Sequence, residues 1–264
     1  MKLGFIGTGN MASAIMGGII KNQIIPANDI IGADVMEAGR ERVKEQFKIQ
    51  VTADNREVIN SSDIVILSVK PQFYAEVIAE IKDDVREDQI IITIAPGKTL
   101  AWLKEQFGKN VKIVRTMPNT PALVGAGMTA ACPNEYMTKE EIAYVLTLLE
   151  SFGRVEIIPE RLMDTVVSVS GSSPAYVFMF IEAMADAAVS GGMPRAQAYQ
   201  FAAQAVLGSA KMVLETGKHP GELKDMVCSP AGTTIEAVRV LEEKGFRSSV
   251  IEAMKTCEEI SKSM

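Results

Sequence analysis

Gly7, Gly9 and Ala12 stand in the run Gly7-Thr8-Gly9-Asn10-Met11-Ala12, directly after the apolar segment Leu3 to Ile6. A G-x-G-x-x-A pattern between a strand and a helix points to one kind of chemistry, the holding of a dinucleotide pyrophosphate. Gly7 permits the tight turn, and Gly9 lets the backbone approach the pyrophosphate at the positive end of the helix. Ala12 lets that helix pack closely on the sheet. An ordinary glycine-rich turn can share the pattern; its place at the start of alternating strands and helices selects the dinucleotide reading. Asp34 closes the second predicted strand, later than the roughly 20-residue spacing usual for the ribose-binding acid. It can bond both ribose hydroxyls of NAD and would repel a 2′-phosphate, an effect that Arg40 and Arg42 offset if the loop folds back. A solvated acid at a strand end is the equal alternative. Ser68, Val69, Lys70 and Pro71 end the most apolar strand, and Ala95, Pro96 and Gly97 end the next. Both runs fall where a parallel sheet opens its ligand crevice. Lys70 taken singly reads as a surface lysine.

Three further turns are rich in small donors: Arg115 to Pro121, Val169 to Tyr176, and Ser229 to Thr234. The last opens an amphipathic helix in which Ile235, Val238 and Leu241 recur at helical spacing. Free backbone N–H groups at a helix start, with hydroxyls beside them, make a site for a small carboxylate without a lysine or arginine. Simple N-capping by Ser229 or Thr233 is the competing reading. His219 is the only histidine and precedes Pro220 and Gly221 in a polar turn, which fits a surface or loop-pinning role better than acid catalysis. Glu182 and Asp186, four apart, mark a solvent edge or an interhelical contact. Met163, Met179, Met184 and Met212 read as core filler. Cys132, Cys228 and Cys257 are odd in number and far apart, so no disulfide framework or metal site is expected.

The elements that must position these residues follow from patterning. Strands are predicted at Lys2–Ile6, Ile30–Ala33, Lys48–Thr52, Ile64–Val69, Ile90–Ile94, Val111–Met117 and Met128–Cys132. Helices begin near Met11, Glu37, Asn55, Phe73 and Ala101, and another spans Lys139–Phe152. Such alternation is the signature of a parallel sheet covered by helices. After Pro159 the β-branched pattern stops and helices punctuated by glycine and proline take over. The expected fold is an α/β Rossmann-type dinucleotide-binding domain over residues 1–158, followed by an all-α dimerisation and substrate domain over 159–264, joined through Val155 to Glu160. The helix from Ala175 to Val189 is apolar almost all round, and a helical half of this size cannot bury it alone. A second subunit is expected to supply cover, giving a homodimer.

The 264 residues are 47% hydrophobic and 23% charged, the balance of a globular chain. With 27 Lys and Arg against 33 Asp and Glu the formal charge is −6, no footprint for nucleic acid or an anionic membrane. Glycines and Asn10 break the first apolar stretch before a signal-peptide core or membrane span forms, so a cytoplasmic location is expected.

FIGTGNMA at residues 5–12, SVKPQ at 68–72, MPNTP at 117–121, SGSSPAY at 170–176 and HPGELKDMVCSPAGTT at 219–234 together resemble the pyrroline-5-carboxylate reductases, in that family's order and along essentially the full length. The sequence departs from the family at Ala231, where many members have glycine, and at Asp34, where smaller or basic contacts to a 2′-phosphate are typical. The resemblance implies NADPH- or NADH-dependent reduction of a cyclic imine, 1-pyrroline-5-carboxylate, to proline, the final step of proline synthesis. It implies a dinucleotide held by Ile6, Gly7, Thr8, Gly9, Asn10, Met11, Asp34, Asn55, Ser68, Val69, Lys70, Pro71, Ala95, Pro96 and Gly97, with Met226 touching the nicotinamide side. The substrate carboxylate would rest on the backbone of Ser229, Gly232 and Thr233. The Thr234 hydroxyl, the catalytic candidate, would face the ring nitrogen, and Glu160 matches a substrate-proximal position. Members form dimers with interleaved helical domains, often assembled into rings of dimers. Competing readings are a reductase of another cyclic imino acid, a β-hydroxyacid-type dehydrogenase needing a base such as Lys211 or Lys224, and a non-catalytic NAD(P)H-sensing module.

Overall fold

The structure, a computed structural model, describes residues 1–263. Its first half alternates β1 (Leu3–Ile6), α1 (Asn10–Lys21), β2 (Ile30–Ala33), α2 (Glu37–Phe47), β3 (Gln50–Thr52), α3 (Asn55–Ser61), β4 (Ile64–Leu67), α4 (Tyr74–Ile81), β5 (Ile90–Thr93), α5 (Leu100–Phe107) and β6 (Lys112–Met117). Then come β7 (Gly127–Pro133), α6 (Lys139–Glu150) and β8 (Gly153–Ile157). One sheet runs in the order β3-β2-β1-β4-β5-β6-β7-β8. It is parallel from β3 to β6, β7 reverses direction against β6, and β8 pairs parallel to β7. The first six strands follow the Rossmann order 3-2-1-4-5-6.

Strands covered on both faces must be apolar at every position, and alternate residues then feed opposite cores. Leu3, Phe5, Ile64, Ile66, Ile90 and Ile92 pack into one core with α1 and α6. Ile6, Val65, Leu67 and Ile91 pack into the other with α3 and α4. Each side chain so buried contributes about 1.5–3 kcal/mol relative to exposure. β8 occupies ground read from the sequence as a connection between the domains. Its residues are half-buried or exposed, so the apolar run that marks the inner strands is missing. Close backbone packing admits it to the sheet: a Cβ on Gly153 would lie 2.1 Å from the carbonyl oxygen of Gly127.

The second half is helical: α7 (Met163–Val166), a π-helical turn at Val167–Gly171, α8 (Ser173–Ser190), α9 (Arg195–Thr216), α10 (Pro220–Val227), α11 (Thr233–Glu243) and α12 (Phe246–Lys262). The chain divides into two compact units, Met1–Ser172 with the chain from Cys257 onward, and Ser173–Thr256. The border expected from the sequence at 158/159 follows the end of β8 at Ile157, whereas the compact units part at the start of α8.

In the second unit α8 and α9 pack on each other through small residues, with Ala185, Ala198 and Ala202 buried. Phe178, Met179, Phe201 and Leu207 are at least 60% exposed. Met163 is buried, but Met179 and Met212, expected as core filler, stand exposed, with nothing among the described residues covering them. The helical stretch Glu160–Ser190 is long and apolar enough, by length and composition, to cross a membrane.

Candidate functional site

The strand order reverses at β1, whose neighbours are β2 and β4, and ligands of such sheets bind at the carboxyl ends beside this switch point. A cleft of about 420 Å³ opens there. Gly7 and Gly9 contribute from the β1–α1 turn, Ala33 to Met36 from the end of β2, Asn55 from the start of α3, and Ser68 to Lys70 from the end of β4. Phe73, Glu76, Val77 and Glu80, on and just before α4, complete the wall.

Gly7 is required twice over. Its φ is +96°, and a Cβ there would lie 2.7 Å from the Ser68 carbonyl oxygen. At Gly9 an added Cβ would meet nothing within 4 Å, so the turn leaves open space in front of α1. Gly9 caps α1 without a side-chain hydrogen bond, which leaves the first N–H groups of the helix for an anion. These residues fit a dinucleotide pyrophosphate.

Asp34 is engaged with the same turn. Its Oδ2 accepts from Thr8 N at 2.8 Å and Thr8 Oγ1 at 2.9 Å, and its Oδ1 accepts from Met36 N at 2.9 Å. Arg40 and Arg42 do fold back, but onto carbonyls. Arg40 Nη1 donates to Asp34 O at 2.6 Å and Val35 O at 3.3 Å, and Arg42 Nη2 donates to Thr8 O. The Ser68 hydroxyl donates to Gly7 O at 2.7 Å, so the glycine-rich turn is pinned from both neighbouring strands.

Of the residues expected to hold cofactor, the cleft brings together Gly7, Gly9, Asp34, Asn55, Ser68, Val69 and Lys70. Ile6, Thr8 and Ala95 are buried behind it. Asn10, Met11, Pro71, Pro96 and Gly97 lie outside its lining, and Met226 stands 61% exposed on α10 in the second unit. Sequence reasoning missed the rim formed by the exposed apolar Val35, Met36 and Phe73, which suits a flat ring. It also missed Tyr74. This fully buried side chain donates from its hydroxyl to Leu67 O at 2.5 Å and accepts from Ile94 N at 3.3 Å, tying the ends of β4 and β5. Burial pushes its hydroxyl pKa well above the ordinary tyrosine value, which keeps it a neutral donor.

Glu160 belongs to the first unit, where Oε1 accepts from Arg115 Nη1 at 2.8 Å and from Leu100 N at 2.7 Å at the start of α5. Arg115 is nearly buried, and the pair joins β6, α5 and the turn before α7. Cys132 lies in the same region; burial first, then the Glu160 charge, push its thiol up, which disfavours the thiolate.

In the second unit, Ser229, Gly232, Thr233 and Thr234 gather at the start of α11. Gly232 caps that helix with no side-chain hydrogen bond at the cap among the described residues, and Gly232 N donates to Ser229 O at 3.0 Å. The capping role considered for Ser229 or Thr233 is therefore not the one adopted. Ser229 Oγ sits where a Cβ on residue 232 would stand, 2.3 Å away. His219 caps α10, its Nδ1 accepting from Gly221 N at 3.1 Å, which is the loop-pinning role. Asp186 pairs with Arg195 across the α8–α9 turn.

A Rossmann sheet with a glycine-rich turn at its switch point, followed by a helical half with exposed apolar faces, defines the class of dinucleotide-binding proteins with an appended helical unit. Family models agree half by half: NADP oxidoreductase, coenzyme F420-dependent, matches residues 2–97, and pyrroline-5-carboxylate reductase dimerisation matches 160–264. The chain is 55% identical to the pyrroline-5-carboxylate reductase of Escherichia coli (strain K12), over 100% of this chain and 98% of that one. The structure of a pyrroline-5-carboxylate reductase from Coxiella burnetii superposes with a TM-score of 0.91 at 35% identity, covering 99% of this chain and 97% of that one. The Plasmodium falciparum pyrroline carboxylate reductase, with NADP bound, gives 0.92 at 32%, covering 100% and 97%. The chain belongs to the pyrroline-5-carboxylate reductase family.

Proposed function

We propose that this protein reduces 1-pyrroline-5-carboxylate to L-proline with NADPH or NADH, the final step of proline biosynthesis. The observation that carries the reading is its 55% identity to the E. coli enzyme from end to end. Residues 1–158 would carry the dinucleotide, and 159–264 the substrate and the subunit contacts. Cofactor contacts are assigned to Ile6–Met11, Asp34, Asn55, Ser68–Pro71, Ala95–Gly97 and Met226.

The substrate is a cyclic imine whose carbon becomes strongly electrophilic once its nitrogen is protonated. A nicotinamide dinucleotide held by the β1–α1 cleft at Gly7, Gly9 and Asp34 would supply the hydride. The chain's task is to orient the ring and complement the changing charge on nitrogen. The backbone around the α11 start, at Ser229, Gly232 and Thr233, receives the ring carboxylate, the Gly232 N–H turning to it from Ser229 O, its partner in the structure. Thr234 offers its hydroxyl to the ring nitrogen; too weak an acid to protonate it alone, it orients the imine and shares a proton with water. Glu160 is included on the family resemblance, Oε2 being the oxygen left for a ligand once Oε1 holds Arg115 and Leu100.

The protomers pair with interleaved helical domains and assemble further into rings of dimers in the cytoplasm, and the apolar stretch Glu160–Ser190 serves subunit contact rather than a bilayer. The test mixes purified protein with 1-pyrroline-5-carboxylate and follows NADH and NADPH absorbance in parallel. Oxidation of either supports the reading, and no oxidation despite cofactor binding removes it. Thr234→Ala lowers turnover far beyond any change in cofactor affinity; unchanged turnover would withdraw Thr234 from the mechanism.

A further inference from the structure

We infer that the cleft selects a dinucleotide with a free ribose 2′-hydroxyl, NADH, over one with a 2′-phosphate, and that Asp34, Glu76 and Glu80 set this choice. The inference rests on the cleft being the cofactor site. The end of β2 is where a Rossmann domain presents the adenosine ribose, and the wall there is acidic. Asp34, Glu76 and Glu80 line the cleft, and Lys70 is the one cation among the lining residues.

These acids are poorly compensated. Asp34 cannot swing away, because Thr8 and Met36 hold both its oxygens. Glu80 Oε2 accepts from Asn55 Nδ2 at 2.8 Å, a neutral partner in the same cleft lining that holds the carboxylate without cancelling its charge. Glu76 lies one helical turn from Glu80 on α4, and no ion pair reaches either acid among the described residues. Like charges four apart on a helix repel, so this spacing is not explained by helix stability.

Three guanidiniums lie near these acids and are engaged elsewhere: Arg56 Nε donates to Glu80 O at 3.3 Å and pairs with Asp84 at 3.6 Å, outside the cleft lining. Arg40 donates to the carbonyls of Asp34 and Val35, Arg42 to the carbonyl of Thr8, and neither lines the cleft. A ribose 2′-hydroxyl can donate to a carboxylate. A 2′-phosphate, with a charge of about −1.5 to −2, can only accept and is repelled by all three acids.

The deciding experiment titrates the full-length assembled protein with NADH and with NADPH by calorimetry, at low and at raised salt. NADH is expected to bind at least about tenfold more tightly, the gap narrowing as salt screens the acids. Glu76→Gln with Glu80→Gln should narrow the gap about fivefold by strengthening NADPH relative to NADH. Both residues are exposed, and unfolding midpoints together with the single variant Glu76→Gln control for damage. NADPH binding as tightly as NADH overturns the inference, and so does a gap that neither salt nor the neutral variants alter. If neither dinucleotide binds, the reading of the cleft itself fails, and the inference with it.

Discussion

Ala231 has a φ of +58° immediately before the cap of α11. An L-residue in this region costs about 1 kcal/mol, and such strain persists where surrounding structure over-determines it. Ala231→Gly is expected to raise stability by about 0.5–1 kcal/mol, read as a higher urea midpoint; a lower midpoint would show that the alanine is unstrained. Arg115 makes the opposite case. Its side chain is 5% exposed and its charge faces Glu160, which is 31% exposed and keeps Leu100 N as a second partner. Arg115→Met should cost about 2–3 kcal/mol in thermal unfolding, below the cost for a pair buried on both sides. Adding Glu160→Gln should recover part of that loss, because the stranded carboxylate is then removed. Strictly additive losses would mean the pair contributes nothing as a pair.

Among elements, α6 shows how a helix start is fixed to the sheet away from the cleft. Thr138 Oγ1 accepts from Glu141 N at 3.2 Å and Glu141 Oε2 accepts from Thr138 N at 2.9 Å, closing a capping box. Lys112 Nζ on β6 meets Glu141 Oε1 at 2.5 Å. Burial pushes the Glu141 carboxyl up, but the Lys112 and Thr138 hydrogen bonds outweigh it and hold the group below the ordinary range. A carboxyl lowered in the folded state contributes stability that is present above its unfolded pKa of about 4.3 and lost as pH falls through the folded value. Glu141→Gln should therefore destabilise at neutral pH by about 1 kcal/mol and converge on wild type in strong acid. An equal loss at both pH values would assign the effect to packing.

The inner strands β1, β4 and β5 were legible in the sequence because burial on both faces leaves an unbroken apolar run. β8 was not, since its half-exposed edge residues carry no such run. At the cleft, Gly7, Asp34 and Ser68 were readable as strand ends. The α4 wall was hidden because Val77 reads as an ordinary core position and Glu76 and Glu80 as ordinary surface acids. Tyr74 gave no signal, its role being a hydroxyl between two strand ends that only the folded sheet brings together.

For the whole molecule, the question is what covers the second unit. Phe178, Met179, Phe201, Leu207 and Leu214 are all at least 60% exposed on α8 and α9, far more large apolar surface than a soluble protomer leaves open. Part of this surface, on the stretch Glu160–Ser190, passes for a membrane span by length and composition, yet it falls in the region matched by the dimerisation family model. The two covers behave differently. If a second copy seats on α8, the protein purifies without detergent, light scattering gives at least twice the protomer mass, and Phe178→Glu shifts it toward the protomer by placing a charge in a desolvated contact. A bilayer would instead make recovery depend on detergent and leave the mass in detergent indifferent to that substitution. Because α11 belongs to the same unit as α8, the Phe178→Glu protein should also lose turnover more than dinucleotide affinity, since the β1–α1 cleft lies wholly in the first unit. Equal loss of both would mean that the cofactor cleft depends on assembly as well.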